Sequence, residues 1–182
     1  MMDATNWKGD WKRAGGGALI DTGYHAIYVL QRFFGRPTAV TARLPRLIVP
    51  HENKADDNAV VILEFPNDIL ANIVVSYTVT SQPWSETRML FGTEGSIHIR
   101  DLDAGKVRLF KHGREVTVKS ESFNSNAELY TESIRRALSQ FLTWVVDGIE
   151  PDIKPQEAVD ALHAALVAYE SHRLSRRVII EW

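Results

Sequence analysis

Gly15-Gly16-Gly17-Ala18-Leu19-Ile20-Asp21-Thr22-Gly23-Tyr24-His25 is the stretch that decides how this chain reads. A glycine-rich turn opens into a helix, and the helix carries a carboxylate and an imidazole four positions apart. Residues at that spacing share a helix face, with Cβ atoms about 5–6 Å apart. The surroundings are apolar: Leu19 and Ile20 before, Ala26, Ile27, Val29 and Leu30 after. An Asp21/His25 pair at the start of such a helix suits general-base work, the carboxylate orienting the imidazole or a substrate hydroxyl. The competing reading is structural. Asp21 would then be a first-turn carboxylate favoured by the helix dipole, His25 a satisfied core histidine, and the glycines a turn with positive φ.

Outward from this stretch, Met1 to Ala14 reads as a loop with two aromatic anchors, Trp7 and Trp11. Asp21 to Phe34 reads as a helix whose buried stripe is Ala26, Ile27, Leu30, Phe33 and Phe34. Gly35 and Pro37 stop it. From Ala39 the pattern turns to strands: Ala39–Val49, Asn58–Phe65 and Ile69–Thr80, the last two joined by the turn residues Pro66-Asn67-Asp68. In the third strand Ile69, Ala71, Ile73, Val75, Tyr77 and Val79 share one face, with Asn72, Ser76, Thr78 and Thr80 mainly on the other. Shorter strands follow at Thr87–Phe91, Ser96–Arg100, Val107–Lys111 and Glu115–Lys119, and short turns between them favour antiparallel pairing. Two helices, Leu129–Asp147 and Gln156–Leu174, precede a last strand at Val178–Ile180. This order predicts one α+β domain over residues 1–182: a large open, mostly antiparallel sheet with helices covering one face. Val60 and Ile62 would point away from Val61, Leu63 and Phe65, onto a second apolar face open to sheet-mediated self-association.

Composition narrows the function classes. A net charge of −2 gives no basic footprint for nucleic acid. The absence of cysteine excludes a disulfide framework, a thiolate metal site and a cysteine nucleophile. The polar N-terminus is no signal peptide and no apolar run reaches the ~20 residues of a membrane span, so a cytoplasmic protein is expected. The histidines show no metal-ligand spacing, and Asp56-Asp57 reads as a turn. No Gly-x-Gly-x-x-Gly follows a strand, and there is no Walker loop. The triple glycine follows Trp11-Lys12-Arg13-Ala14, a poor dinucleotide fingerprint.

Taken together, Gly15 to Gly35 resembles the start of the C-terminal domain of the glucose–fructose oxidoreductase, inositol dehydrogenase and MocA (Gfo/Idh/MocA) family. Members there read Gly-Gly-Gly-x-Leu-x-Asp-x-Gly-x-His before an apolar helix ending in Gly. Asp57–Tyr77 resembles the family's central hairpin, Leu90-Phe91-Gly92-Thr93-Glu94-Gly95-Ser96-Ile97 its turn between strands, and Pro155–Ile180 its closing helix and strand. The resemblance implies a fold like that C-terminal domain and like the C-terminal domain of glyceraldehyde-3-phosphate dehydrogenase. It implies NAD or NADP, bound mainly by a Rossmann domain absent from this chain. By resemblance His25 matches the general base and Asp21 the acidic residue that hydrogen-bonds the substrate hydroxyl. A lysine of a Glu-Lys-Pro motif, carried by the family's Rossmann domain, has no equivalent here. Ile153-Lys154-Pro155 echoes it only superficially, because it precedes the final helix.

The expected function is the catalytic, substrate-binding and oligomerising half of an NAD(P)-dependent oxidoreductase acting on the CH–OH group of a sugar, polyol or related compound. The alternative is a stand-alone binding or assembly module without catalysis. Asp21, His25 and Trp84 are the expected substrate contacts; Gly16 and Gly17 are expected to let the cofactor approach. Expected partners are a small hydroxylated substrate, further copies of the chain through the open sheet, and a Rossmann domain carried on a separate chain.

Overall fold

The computed structural model describes residues 6–48, 52, 54–79, 85–100, 106–119, 121 and 123–182. The strands are β1 (Ala39–Arg43), β2 (Asn58–Phe65), β3 (Ile69–Ser76), β4 (Thr87–Gly92), β5 (Gly95–Arg100), β6 (Val107–Lys111), β7 (Arg114–Val116) and β8 (Val178–Ile179). The α-helices are α1 (Trp11–Ala14), α2 (Tyr24–Phe34), α3 (Asn126–Asp147) and α4 (Pro155–Leu174). The chain divides into two compact units, residues 1–80 with 153–182, and residues 81–152.

The first unit holds a four-stranded antiparallel sheet in the order β3-β2-β1-β8. β2 and β3 form the expected hairpin, with Leu63 opposite Ala71 and Val61 opposite Ile73. Asn67 and Asp68 close its turn in left-handed conformations at φ 62° and 58°, which short polar side chains tolerate. Alternation along β2 sets the two sheet faces as its sequence requires. Val61, Leu63 and Phe65 are buried, whereas Val60 and Ile62 remain 46% and 43% exposed. Leu70 and Val74 of β3 lie on that same open face. On the buried face sit Leu19, Ile27 and the alanines Ala161, Ala164, Ala165 and Ala168 of α4. Those small side chains, three and four apart, let α4 approach the sheet closely.

The second unit is the meander β4-β5-β6-β7, all antiparallel, followed in sequence by α3. Ser125 caps α3 by accepting from the Glu128 N–H, and Gly148 ends it in a left-handed conformation. Its apolar residues Ile134, Leu138, Phe141, Leu142 and Val145 are exposed. The α+β class and the antiparallel pairing are as the sequence predicts, with the strands divided between two sheets of four.

Two local departures bear on the site. Residues 7–14 are not loop: Asn6 caps a 3₁₀ turn at Trp7–Gly9, and Asp10 caps α1. The expected helix from Asp21 instead begins with a π turn at Leu19–Gly23, where the Tyr24 N–H reaches back to the Leu19 carbonyl. Regular α geometry runs from Tyr24.

Candidate functional site

The glycine turn is seated by one buried aspartate. Asp56 Oδ1 accepts from the Gly17 N–H and Oδ2 from the Leu19 N–H, both at 2.9 Å. The Asp56 carbonyl takes the N–H between them, that of Ala18, at 2.8 Å. Three consecutive amides at a helix start, which have no intrahelical partners, are thereby satisfied by a single residue. Tyr169 of α4 donates to Asp56 Oδ1 at 2.6 Å, and the edge of Trp11 packs on its ring at 4.9 Å. Burial, the Asp56 charge and that hydrogen bond push the Tyr169 phenol well above the ordinary tyrosine range.

This seat explains why glycine occupies 16 and 17. A Cβ on Gly17 would stand 1.9 Å from the Asp56 carbonyl oxygen, and one on Gly16 2.4 Å from Ile20 Cγ1 and 2.7 Å from the Tyr169 hydroxyl. Both glycines are buried, and the space beside them is filled by the protein itself. A side chain at either position would meet the protein itself: Ile20 and Tyr169 side chains at 16, Asp56 backbone at 17.

The π turn presents Asp21 to two donors that lie far apart in sequence. Lys8 Nζ, from the 3₁₀ turn, bonds both carboxylate oxygens at 2.7 and 2.9 Å. The Tyr77 hydroxyl, just beyond β3, donates to Oδ2. Tyr77 is placed by its own N–H, which donates to the Asp57 carbonyl at 2.8 Å. Burial pushes the Asp21 carboxyl up. The hydrogen bonds from Lys8 and Tyr77, with the charges of Lys8 and His25, outweigh it and hold Asp21 below its ordinary value. Asp21 is thus a partly buried carboxylate kept ionised. Burial, and then the hydrogen bond to Asp21, hold the Tyr77 phenol protonated well past the usual range. π turns recur at functional sites because the extra residue re-aims a side chain.

His25 sits one turn on, exposed, with its ring 4.2 Å from that of Tyr24. It is not the buried core histidine of the structural reading. Among the described residues no hydrogen bond joins it to Asp21, so the imidazole is open to solvent and to a ligand. Trp84 lies outside the described residues. Lys154 is the N-cap of α4, consistent with its reading as a superficial echo.

Three participants were not singled out in the sequence. Tyr77 reads from sequence as part of an apolar strand face, and Tyr169 and Lys8 carry no signal of their own. Asp56 was read as a turn residue. A tyrosine among aliphatic residues on a buried face was the one available hint, since a buried hydroxyl needs a partner.

Comparison with known proteins agrees with this architecture. Residues 1–98 match the model described as GFO/IDH/MocA C-terminal domain. A trans-1,2-dihydrobenzene-1,2-diol dehydrogenase from Bos taurus is 32% identical over 94 residues, which are 50% of this chain and 26% of that enzyme. The crystal structure of an aldose-aldose oxidoreductase from Caulobacter crescentus, complexed with glycerol, superposes with a TM-score of 0.79 at 22% identity, over 98% of this chain and 52% of that one. A levoglucosan dehydrogenase in complex with NADH and levoglucosan does so with a TM-score of 0.77 at 18% identity, over 97% and 54%. The chain thus spans about half the length of these structural neighbours and matches about a quarter of the curated relative. No described helix is long and apolar enough to cross a membrane. With more than half of its length matched, the chain belongs to the Gfo/Idh/MocA family, as a C-terminal domain.

Proposed function

We propose that this chain is the substrate-binding, proton-removing and assembling half of an NAD(P)-dependent oxidoreductase acting on the CH–OH group of a sugar, polyol or related compound. One observation carries the proposal: a carboxylate held ionised by Lys8 and Tyr77 on the turn that leads into an exposed His25. Removing a hydride from an alcohol carbon also requires loss of the hydroxyl proton. A neutral imidazole is suited to take it near pH 7. Asp21, ionised, can only accept hydrogen bonds, so it holds a substrate hydroxyl by its proton and faces the charge that His25 acquires.

The donor set fits the reacting end of such a complex and not a dinucleotide phosphate. The Gly17, Ala18 and Leu19 amides that a pyrophosphate would need at this helix start are already taken by Asp56. We therefore assign cofactor binding to a nucleotide-binding half outside this chain. The matched relatives, about twice as long, are consistent with that division. The nicotinamide, when bound there, accepts the hydride. Gly16 and Gly17 serve it indirectly, by seating the turn that carries Asp21.

Assembly is assigned to the open face of the first sheet, where Val60, Ile62, Leu70 and Val74 are 43% to 69% exposed. Contiguous exposed apolar residues of this kind mark association surfaces. The deciding experiment joins the chain to its nucleotide-binding half and replaces His25 with Ala. Turnover is expected to fall by roughly 10²–10⁴-fold. Undiminished turnover in a folded His25→Ala enzyme would leave only the assembly module.

A further inference from the structure

Asp21 accepts three side-chain hydrogen bonds, and the donors serving it come from separate elements. Lys8 arrives from the 3₁₀ turn and Tyr77 from the end of β3. Each fixes a different feature of the carboxylate. Lys8 spans both oxygens and supplies charge, whereas Tyr77 is uncharged and binds Oδ2 only. An ionised carboxylate offers about four lone-pair positions. Among the described residues, three are taken: two on Oδ2, by Lys8 and Tyr77, and one on Oδ1, by Lys8.

We propose that Lys8 and Tyr77 are positioning residues that lock Asp21 as an anion with a single acceptor position left, on Oδ1, and so define where one substrate hydroxyl binds. This rests on the dehydrogenase reading above and adds to it the two residues that make Asp21 selective. A carboxylate with all positions open would accept water or two hydroxyls in several geometries. One with a single open position accepts one hydroxyl in one geometry, which is what a near-attack arrangement needs. Tyr77 suits the task because its ring is anchored: the backbone N–H is held by Asp57, and the hydroxyl lies beside Thr22. The titratable and charged groups around this centre are Lys8, Tyr77 and His25, with Asp56 acting on Tyr77 at longer range.

The test reads Asp21 directly. Carbon-13 NMR of the side-chain carboxyl in the whole 182-residue chain follows its protonation in the parent, Tyr77→Phe, Lys8→Met and Lys8→Arg. The parent midpoint should lie below 3.8. Tyr77→Phe should raise it by about one pH unit, the size expected for losing one hydrogen bond to a charged group. Lys8→Met should raise it further, and Lys8→Arg should restore it. Circular dichroism on the same samples confirms folding, and Tyr77→Phe and Lys8→Arg are mild enough to preserve it. In the complete enzyme, Tyr77→Phe should lower kcat more than it raises KM. An Asp21 midpoint unmoved by both Tyr77→Phe and Lys8→Met overturns the proposal. So does a midpoint that moves while kcat and KM both stay at the parent values. Failure of the dehydrogenase reading shows separately, as full turnover in His25→Ala.

Discussion

Tyr169 hydrogen-bonds to Asp56 at 2.6 Å across 113 residues of sequence. The last long helix thereby grips the residue that seats the glycine turn, and the turn carries Asp21. Removing one hydroxyl should loosen that chain of support. Tyr169→Phe leaves Asp56 with its backbone donors and should cost about 1.5–3 kcal/mol, as for a hydrogen bond to a charged group. Asp56→Ala strands the Leu19 amide, leaves the Gly17 amide only its 3.2 Å bond to the Tyr169 hydroxyl, removes that hydroxyl's acceptor, and should cost more. Urea unfolding of the two variants checks the order; a larger loss in Tyr169→Phe would contradict it.

Gly17→Ala should be among the most damaging single changes in the chain. The new methyl would overlap Asp56 backbone at 1.9 Å, and Asp56, tied to this turn through its carbonyl and both carboxylate oxygens, cannot step aside. A loss of about 3 kcal/mol or more is expected, at the upper end of overpacking effects. Gly15 supplies the contrast. It ends α1 at φ 73° with open space around its Cα, so Gly15→Ala meets only backbone strain, about 1–2 kcal/mol. Thermal melts of the pair separate steric exclusion from conformational preference.

How far these consequences could be read from sequence differs by residue. The 3.6-residue stripe of α2, apart from Phe33, which is 58% exposed, and the alternation of Val60–Phe65 were legible because each depends on neighbours in the chain. The Asp21 and His25 positions were legible through the glycine-led pattern. Lys8, Asp56, Tyr77 and Tyr169 were not, because their partners lie 13, 39 or 37, 56 and 113 residues away, and periodicity carries no information about such pairings. The π turn was also hidden. Its residues, Leu-Ile-Asp-Thr-Gly, do not differ in kind from those of an α-helix start.

Within the complete enzyme, the effects of His25→Ala and Asp21→Asn on turnover should not add. In the proposed mechanism both residues serve one proton transfer, so the double variant should lie close to the worse single one. Steady-state kinetics on the three variants measures this. Full additivity in free energy would indicate that the two residues act in separate steps.

The stability of the first unit should fall in mildly acidic solution through His172. Burial, then the Arg43 and Arg46 charges, hold its imidazole below the ordinary 6.5, and its Nδ1 accepts from the Leu44 N–H at 3.3 Å, which requires the neutral ring. The unfolded chain binds the proton more readily than the folded one. The contribution of His172 is therefore complete above pH 6.5 and drains away as the pH falls through its lower folded value. Melting temperatures between pH 7.5 and 5 should decline more steeply for the parent than for His172→Asn. Parallel curves would remove His172 from the account.

Ile62→Lys places a charge at the centre of the open sheet face without touching the buried one. Light scattering at tens of micromolar should show the parent as an oligomer and the variant shifted toward monomer mass, with the melting temperature little changed. A parent already monomeric under these conditions would exclude assembly by this face.

The π turn at Leu19–Gly23 has a consequence for the azimuth of the site. An α-helix advances about 100° per residue, so storing one surplus residue rotates everything upstream relative to everything downstream. Upstream, the phase is fixed by the Asp56 seat; downstream, it is fixed by Ile27 in the core. The turn absorbs the angular mismatch between two anchors that cannot both be met by a regular helix. Deleting Thr22 would restore regular winding and force one anchor to let go, swinging the carboxylate around the axis from its lysine and tyrosine. The bearing of Asp21 relative to His25 is thus stored in the coiling of the backbone, and a count of intervening residues does not disclose it.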